Sequence, residues 1–477
     1  MSLSFSEQEI QQVFGSEAAE DENIDRLRSY YFKSKTYEEV NSDLPLRILV
    51  GHKGIGKSAL FQVSMAEDED QNKLSILIKP DDIIDLGEEN RDFLKVIRSW
   101  KNGLNEIIAE KALCSLGNTN GSWKERLSGY GGKILNFLQD SINNPEILNV
   151  SPARESIVNR FSKRKSIQVY IDDLDRGWEG SKEGVRRISA LLNAVRDLSN
   201  ENPGLNFKIS LRSDVYYLVR TSDESTDKIE GSVIWYSWTN HEIFVMLVKR
   251  VETYFGNEVN ELTLMGTNQD ILARRLNGIF EERFQGRGHW NNAPMHQVIL
   301  SLLRQRPRDL VKLCSLAARN ARRRRGSIID TDDLEGSFEE YSQGRLQDTV
   351  NEYRSELPDI ERLLLAMKPS KKEKKASLSY LYTTDQLLKK INDIQSQGAF
   401  KFSSGANAST KDLAAFLYKV NFLTGRKDIG GHIDRKYFEN NRYLANRFVD
   451  FGYDWEVHPA FRWALQPDDF REVLENL

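Results

Sequence analysis

Cysteine is scarce in this chain. Two thiols, Cys114 and Cys314, stand far apart in apolar helical contexts, so the sequence offers neither a disulfide framework nor a zinc-ligand spacing. Buried thiols in a reducing cytosol are the expectation. Long apolar runs are missing too, and none approaches the roughly 20 residues that span a bilayer. The opening MSLSFSEQEIQQVFG is polar and acidic, without the apolar centre of a signal peptide. A cytoplasmic protein with no membrane partner is expected. The net charge is only -4, so bulk electrostatics gives no reason to expect nucleic acid. Such binding would have to come from a local basic patch. What the chain does have is 477 residues, 39% of them hydrophobic and 29% charged, enough for a large core and two to four domains.

Apolar spacing organises the chain. FSEQEIQQVFG and ENIDRLRSYYFKS each carry a helical pattern within residues 1–45. LRILVG (46–51) reads as a buried strand, HKGIGKS follows at once, and SALFQVSMAED reads as a helix. Further strands are expected at KLSILIK (73–79), SIQVYIDD (166–173) and LNFKISLRSD (205–214), with helices at FLKVIRSWKNGLNEIIAEKAL and about 182–199. Val/Ile-rich strands alternating with helices predict a parallel α/β sheet. From Glu242 onward strands are not expected, and 240–345 reads as a helical bundle. The charged KPSKKEKK (368–375) reads as a solvated boundary. In the tail, TTDQLLKKINDI and TKDLAAFLYKV are helical. NFLTGRK and RYLANRFVDFG are strand-like, which suggests a winged helix.

The segment GHKGIGKS satisfies G-x-x-x-x-G-K-[ST] in full. Gly51, Gly54 and Gly56 let the backbone wrap closely and aim N–H groups at phosphate oxygens, with His52, Lys53 and Ile55 between them. The helix beginning near Lys57 and Ala59 adds its positive end. Lys57 is expected to reach the β- and γ-phosphates, and Ser58 to offer its hydroxyl to Mg²⁺. Such a loop needs a partner carboxylate, and YIDDLDRGW supplies an apolar strand ending in acids. Asp172 is placed to bind the metal through water and Asp173 to activate the attacking water. Asp175 and Arg176 extend the cluster, either as a structural ion pair or toward a neighbouring nucleotide. ATP and Mg²⁺ are the expected cofactors.

Arginines follow. KISLRSD puts Arg212 at the end of the next strand, within reach of a γ-phosphate if the two strands are neighbours. QRPRDL puts Arg306, Pro307 and Arg308 at a helix start, either to read the nucleotide or, with Asp309, to cap the helix. An arginine acting in trans is sought among Arg176, Arg186, Arg187 and Arg220. RRRR (322–325) reads as a solvated helix end, favoured there by the helix dipole, or as a contact to nucleic acid. His458, Trp455, Phe461 and Trp463 read as packed core of the tail. LSGYGG (127–132) mimics an ABC signature, but an ABC acidic strand ends Asp-Glu-Pro and this one ends DDLDRGW.

Taken together, GHKGIGKS, YIDDLDRGW, KISLRSD and QRPRDL resemble the AAA+-related P-loop ATPases of the STAND and KAP type. The tail LAAFLYKVNFLTG…WEVHPAFRWAL is similar to the C-terminal module of bacterial P-loop ATPases with a DDLDR-type motif. The resemblance implies a P-loop NTPase parallel sheet with helices on both faces, then a helical lid and a C-terminal winged-helix-like domain. The expected boundaries are 1–45, 46–239, 240–345 and 346–477. It further implies an ATP-hydrolysing switch that assembles into a homo-oligomer and controls a separate effector, with several bacterial members acting in antiphage defence. The chain departs from the usual layout in lacking a repeat array and any recognisable nuclease, TIR or protease segment. A DNA-binding ATPase and a nucleotide-binding scaffold with little turnover are the alternatives.

Overall fold

The computed structural model describes residues 3–86, 92–115, 166–174, 176, 181–222, 224–375, 380–430, 432–447, 452–466 and 473–474. The LSGYGG segment and Asp175 lie outside the described residues, as does the side chain of Cys114. The chain divides into two compact units. A helical unit comprises Met1–Phe32, Lys53–Gly56 and Ser237–Leu477, and a sheet unit comprises Lys33–His52 and Lys57–Tyr236.

Two helices open the helical unit, α1 (Glu7–Phe14) and α2 (Ile24–Tyr30), and α3 (Lys35–Val40) opens the sheet unit. Five parallel strands follow: β1 (Leu46–Val50), β2 (Leu74–Ile78), β3 (Ile167–Ile171), β4 (Leu205–Leu211) and β5 (Val233–Trp235). Their spatial order is β2-β3-β4-β1-β5. Between them run α4 (Lys57–Asp70), α5 (Phe93–Ser115), α6 (Lys182–Glu201) and α7 (Ser213–Ser222). Every residue of β3 is buried, as a strand covered by helices on both faces requires. Ile48, Val50, Ile76, Val169, Leu191, Phe207 and Ile209 belong to one continuous core. The sheet is parallel throughout and covered by helices, as expected.

Two boundaries differ from expectation. The fourth strand stops at Leu211, because Ser213 and Asp214 begin α7. The fifth strand was not expected, since three residues are too few for periodicity to register. It is placed by ladder bonds to β1, with Ile48 opposite Val233. A polar knot is buried in this unit. Lys208 donates to the Tyr170 hydroxyl at 2.8 Å and to Asn41 Oδ1 at 2.7 Å, and Tyr170 donates to Asp68 Oδ2 at 2.5 Å. Burial draws the Lys208 ammonium down to about 8.

The helical unit continues with α8 (Asn240–Tyr254), α9 (Met295–Leu302), α10 (Pro307–Arg323) and α11 (Phe338–Tyr353). Helix α1 packs on α8 and α10. Strand is not wholly absent here, since Arg283–Phe284 pairs with Ala293–Pro294. Asp309 is not a helix cap. It lies in the first turn of α10 but is buried between Arg304 (2.8 Å) and Arg345 (2.6 Å), and the N-cap position is Arg306. Cys314 is buried as expected.

The tail comprises α12 (Ile360–Ala366), β6 (Leu381–Tyr382), α13 (Thr384–Ser396), α14 (Thr410–Lys419), β7 (Leu423–Ile429), β8 (His432–Lys436), α15 (Tyr443–Arg447), β9 (Asp454–Val457) and α16 (Pro459–Leu465). Two helices followed by the β7–β8 hairpin give the winged-helix-like order. The sheet order is β8-β7-β9-β6, so β9 lies between the hairpin and β6. RYLANRFVDFG, expected as strand, instead contains α15, and Lys371–Lys375 of the charged boundary is helical. Glu456 is fully buried and gathers Arg426, Arg435 and Arg462 at 2.9, 2.7 and 2.6 Å. His458, Trp455, Phe461 and Trp463 are core. His458 accepts from the Ala460 amide at the start of α16.

Candidate nucleotide site

In a parallel sheet the loops at the carboxyl ends of adjacent strands lie side by side, and ligands bind there. The order β3-β4-β1 therefore gathers three separate motifs at one edge of the sheet unit. From β1 comes Gly51, whose amide donates to Leu211 O at 3.1 Å. From β3 come Asp172 and Asp173, and from β4 comes Arg212. Ile171 is opposite Ile209, so Asp172 falls beside Ser210. The Ser210 hydroxyl donates to Asp172 Oδ1, which also accepts from the Asp173 amide at 2.9 Å. These bonds orient a buried carboxylate. Asp173 is exposed and adopts φ 60°, a left-handed conformation costly for a non-glycine residue.

Arg212 is largely buried and forms a two-pronged pair with Asp214, Nε to Oδ1 at 3.0 Å and Nη2 to Oδ2 at 2.5 Å. His52 is buried with its Nδ1 3.2 Å from the Ser213 hydroxyl. Lys57 begins α4, and its ammonium donates to the carbonyls of Gly51 (2.8 Å) and His52 (3.2 Å). Ser58 and Ala59 occupy the next two positions of that helix, where amides lack intrahelical acceptors. Arg176 is exposed. Arg187 instead lies over the Trp100 ring and donates to Ile83 O and Ile84 O, Arg186 lies near the Phe93 ring, and Arg220 pairs with Glu230.

The loop tip, Lys53–Gly56, belongs to the helical unit, and its backbone is gripped there. The Lys53 amide donates to Glu352 Oε1 at 3.1 Å, and the Lys53 carbonyl accepts from Arg306 Nη1 at 3.3 Å. The Gly54 carbonyl accepts from the Arg308 amide at 3.3 Å. The Ile55 carbonyl accepts from Trp238 Nε1 at 2.9 Å. Gly54 (φ 78°) and Gly56 (φ 104°) hold left-handed conformations, and a Cβ on Gly54 would come within 3.1 Å of Arg308 Cβ. Arg306 and Pro307 begin α10 as expected, and Arg308 Nε reaches Glu17 O. Burial opposes the Arg306 charge, but Glu352 more than offsets this and holds the guanidinium above its ordinary range. Sequence reasoning did not find Ser210, Trp238 or Glu352. Strand register points to Ser210, but no local pattern marks the other two.

The RRRR run is exposed, as expected of a solvated helix end, and two of its arginines form ion pairs. Arg322 pairs with Glu7, and Arg324 pairs with Asp330 and Asp333. Among the described residues no helix is long and apolar enough to cross a membrane, and no cluster of three or more His, Cys, Asp or Glu forms a metal cage. The donors at the sheet edge suit a hydrated Mg²⁺ shared with phosphates, which needs only one or two protein ligands.

Comparisons with known proteins place this geometry in context. Residues 246–350 match the FunZ-associated C-terminal helical domain. The chain is 24% identical to the putative transposon gamma-delta 80.3 kDa protein of Escherichia coli (strain K12), over 97% of this chain and 69% of that protein. Among solved structures, it overlaps the Walker-type ATPase paby2304 of Pyrococcus abyssi at 14% identity and TM-score 0.38, over 86% of this chain and 95% of that one. It overlaps the Aeropyrum pernix ORC2 protein, solved as ADPNP–ADP complexes, at 12% identity and TM-score 0.40, over 95% and 92%. Overlap with the Aeropyrum pernix ORC1 protein in complex with DNA gives 13% identity and TM-score 0.33, over 98% and 96%. Overlaps this remote set no constraint on function.

Proposed function

We propose that this chain binds and hydrolyses ATP with Mg²⁺, and that the bound nucleotide sets its conformation. The observation that carries the reading is the meeting of a complete phosphate loop after β1 with a buried, oriented Asp172 after β3, the two strands flanking β4. In this reading the amides of Gly51–Ala59 and the positive end of α4 hold the phosphates. Lys57 exchanges loop carbonyls for phosphate oxygens. Ser58 and Asp172 would hold Mg²⁺, which would neutralise charge on the phosphates. Asp173 takes a proton from the attacking water. Arg212 senses the γ-phosphate, and Arg306, Pro307 and Arg308 report the nucleotide to the helical lid. Arg176, exposed beyond the acidic strand, is the candidate for action in trans in a homo-oligomer.

We further propose the division into a lead-in (1–45), an ATPase core (46–239), a lid (240–345) and a C-terminal module (346–477). The STAND/KAP-type role follows: a switch that regulates a separate effector, with antiphage defence as its setting. ATP binding measured by calorimetry, with Lys57→Ala as the comparison, tests the site. Binding that persists in the variant refutes it. Sizing with ATP, with ADP and without nucleotide tests assembly, and an unchanged mass in all three removes the oligomer from the proposal. A nucleic-acid role draws support from the winged-helix-like order of the tail. Against it, Arg426 and Arg435 of the hairpin are drawn onto Glu456, and an absence of DNA binding at low salt would end that reading.

A further inference from the structure

We infer that Glu352 is a positioning residue for the nucleotide site, setting both the phosphate-loop tip and the arginine that faces the ligand. The inference rests on the ATP-binding reading above. Glu352 lies one residue before the end of α11, is 3% exposed, and divides its two oxygens. Oε1 accepts the Lys53 amide at 3.1 Å, and Oε2 accepts Arg306 Nη1 at 3.0 Å. The same Arg306 Nη1 reaches the Lys53 carbonyl at 3.3 Å. One carboxylate and one guanidinium thus hold both polar groups of a single loop peptide residue, closing a ring of three hydrogen bonds.

The remaining Arg306 donors point to a ligand. Nε and Nη2 are buried and have no hydrogen-bond partner among the described residues. Orphaned donors on a buried cation are costly and rarely kept without an acceptor. Beside a phosphate loop the acceptor that matches a guanidinium edge is an anionic phosphate oxygen. Glu352 keeps Arg306 charged and fixes its Nη1, leaving the other edge for the nucleotide. It also anchors Lys53 immediately before the left-handed turn at Gly54. A carboxylate is required because an amide could accept from only one of the two donors and would carry no charge.

The test compares the full chain with Glu352→Gln and Arg306→Lys. The first keeps side-chain shape and removes the charge. The second keeps an ion pair with Glu352 and deletes the two orphaned donors. Each is expected to weaken ATP binding about ten- to a hundredfold by calorimetry. For Glu352→Gln, KM should rise by the same factor, with kcat at saturating ATP retained. Trp238, which holds the Ile55 carbonyl, gives a second readout, and its fluorescence response to ATP should shrink in Glu352→Gln. A merely structural role would lower the melting temperature of Glu352→Gln while leaving ATP affinity unchanged, and that result overturns the inference. Should Glu352→Gln not fold, Arg306→Lys binding ATP as the wild type does would overturn it equally. If the wild type binds ATP, Lys57→Ala does not and both new variants bind normally, the role of Glu352 fails alone. A wild type that does not bind ATP removes the nucleotide reading and this inference with it.

Discussion

Replacing Asp309 by Asn should be among the most damaging single changes in the helical unit. Asp309, Arg304 and Arg345 are at most 4% exposed. The carboxylate takes Arg304 Nε at 2.8 Å, Arg304 Nη2 at 3.1 Å and Arg345 Nη1 at 2.6 Å. Burial opposes its charge, but Arg304 and Arg345 outweigh burial and hold the carboxyl far below the ordinary range. Asparagine keeps the shape but leaves buried Arg304 without its counter-charge and Arg345 with only the half-exposed Asp348 at 3.0 Å, a situation that costs about 3–5 kcal/mol. Urea unfolding followed by tryptophan fluorescence should show that loss as a lower midpoint at unchanged slope. A carboxyl depressed on folding contributes stability that is present above its unfolded value near 3.9 and lost as pH falls toward the folded value. The gap between wild type and variant should therefore stay constant from about pH 5 to 8 and narrow below about pH 4. A loss under about 1 kcal/mol, or a gap that narrows on approaching neutral pH, would refute the reasoning.

Asp173→Asn should bind ATP as the wild type does and hydrolyse it about 10²- to 10⁴-fold more slowly, measured by phosphate release. Equal turnover would remove Asp173 from the water-activating role. Lys208 is drawn from 10.5 to about 8 by burial. Between these values the unfolded chain binds more protons than the folded one, so stability rises with pH across that window and burial of the charged form is penalised below it. Relative to Lys208→Met, unfolding free energy should climb by up to about 3 kcal/mol from pH 8 to 10.5, and a flat difference would show that folding does not lower the Lys208 ammonium.

Much of the sheet unit was legible in the sequence because its signals are local. A Val/Ile run followed at once by G-x-x-x-x-G-K-S needs no tertiary information, and neither does an apolar strand ending in Asp172–Asp173. What was hidden depends on distant partners. Val233–Trp235 is a strand only because β1 offers it a ladder. Ser210 matters only through the register that sets it beside Asp172. Asp309 has the local look of a helix cap, and it becomes the centre of a buried triad because Arg345, 36 residues on, folds over it. Glu352 lies 299 residues from the loop amide it accepts, and nothing around it in sequence distinguishes it from a surface glutamate.

Helix α11 is a ruler as well as a support. The Ser342 hydroxyl oxygen accepts the Ala464 amide of α16 at 2.8 Å, while Glu352 meets the loop tip near the other end. Ten residues separate the two, and an α-helix turns about 100° per residue. Inserting or deleting one residue between them would leave both side chains present and both neighbourhoods chemically intact. It would nevertheless swing Glu352 by about 100° relative to Ser342, off the Lys53 amide. The length of this stretch is therefore under tighter constraint than its composition. Homologues should vary freely at exposed positions such as Gln343 and Gln347 while tolerating no change in the spacing from Ser342 to Glu352.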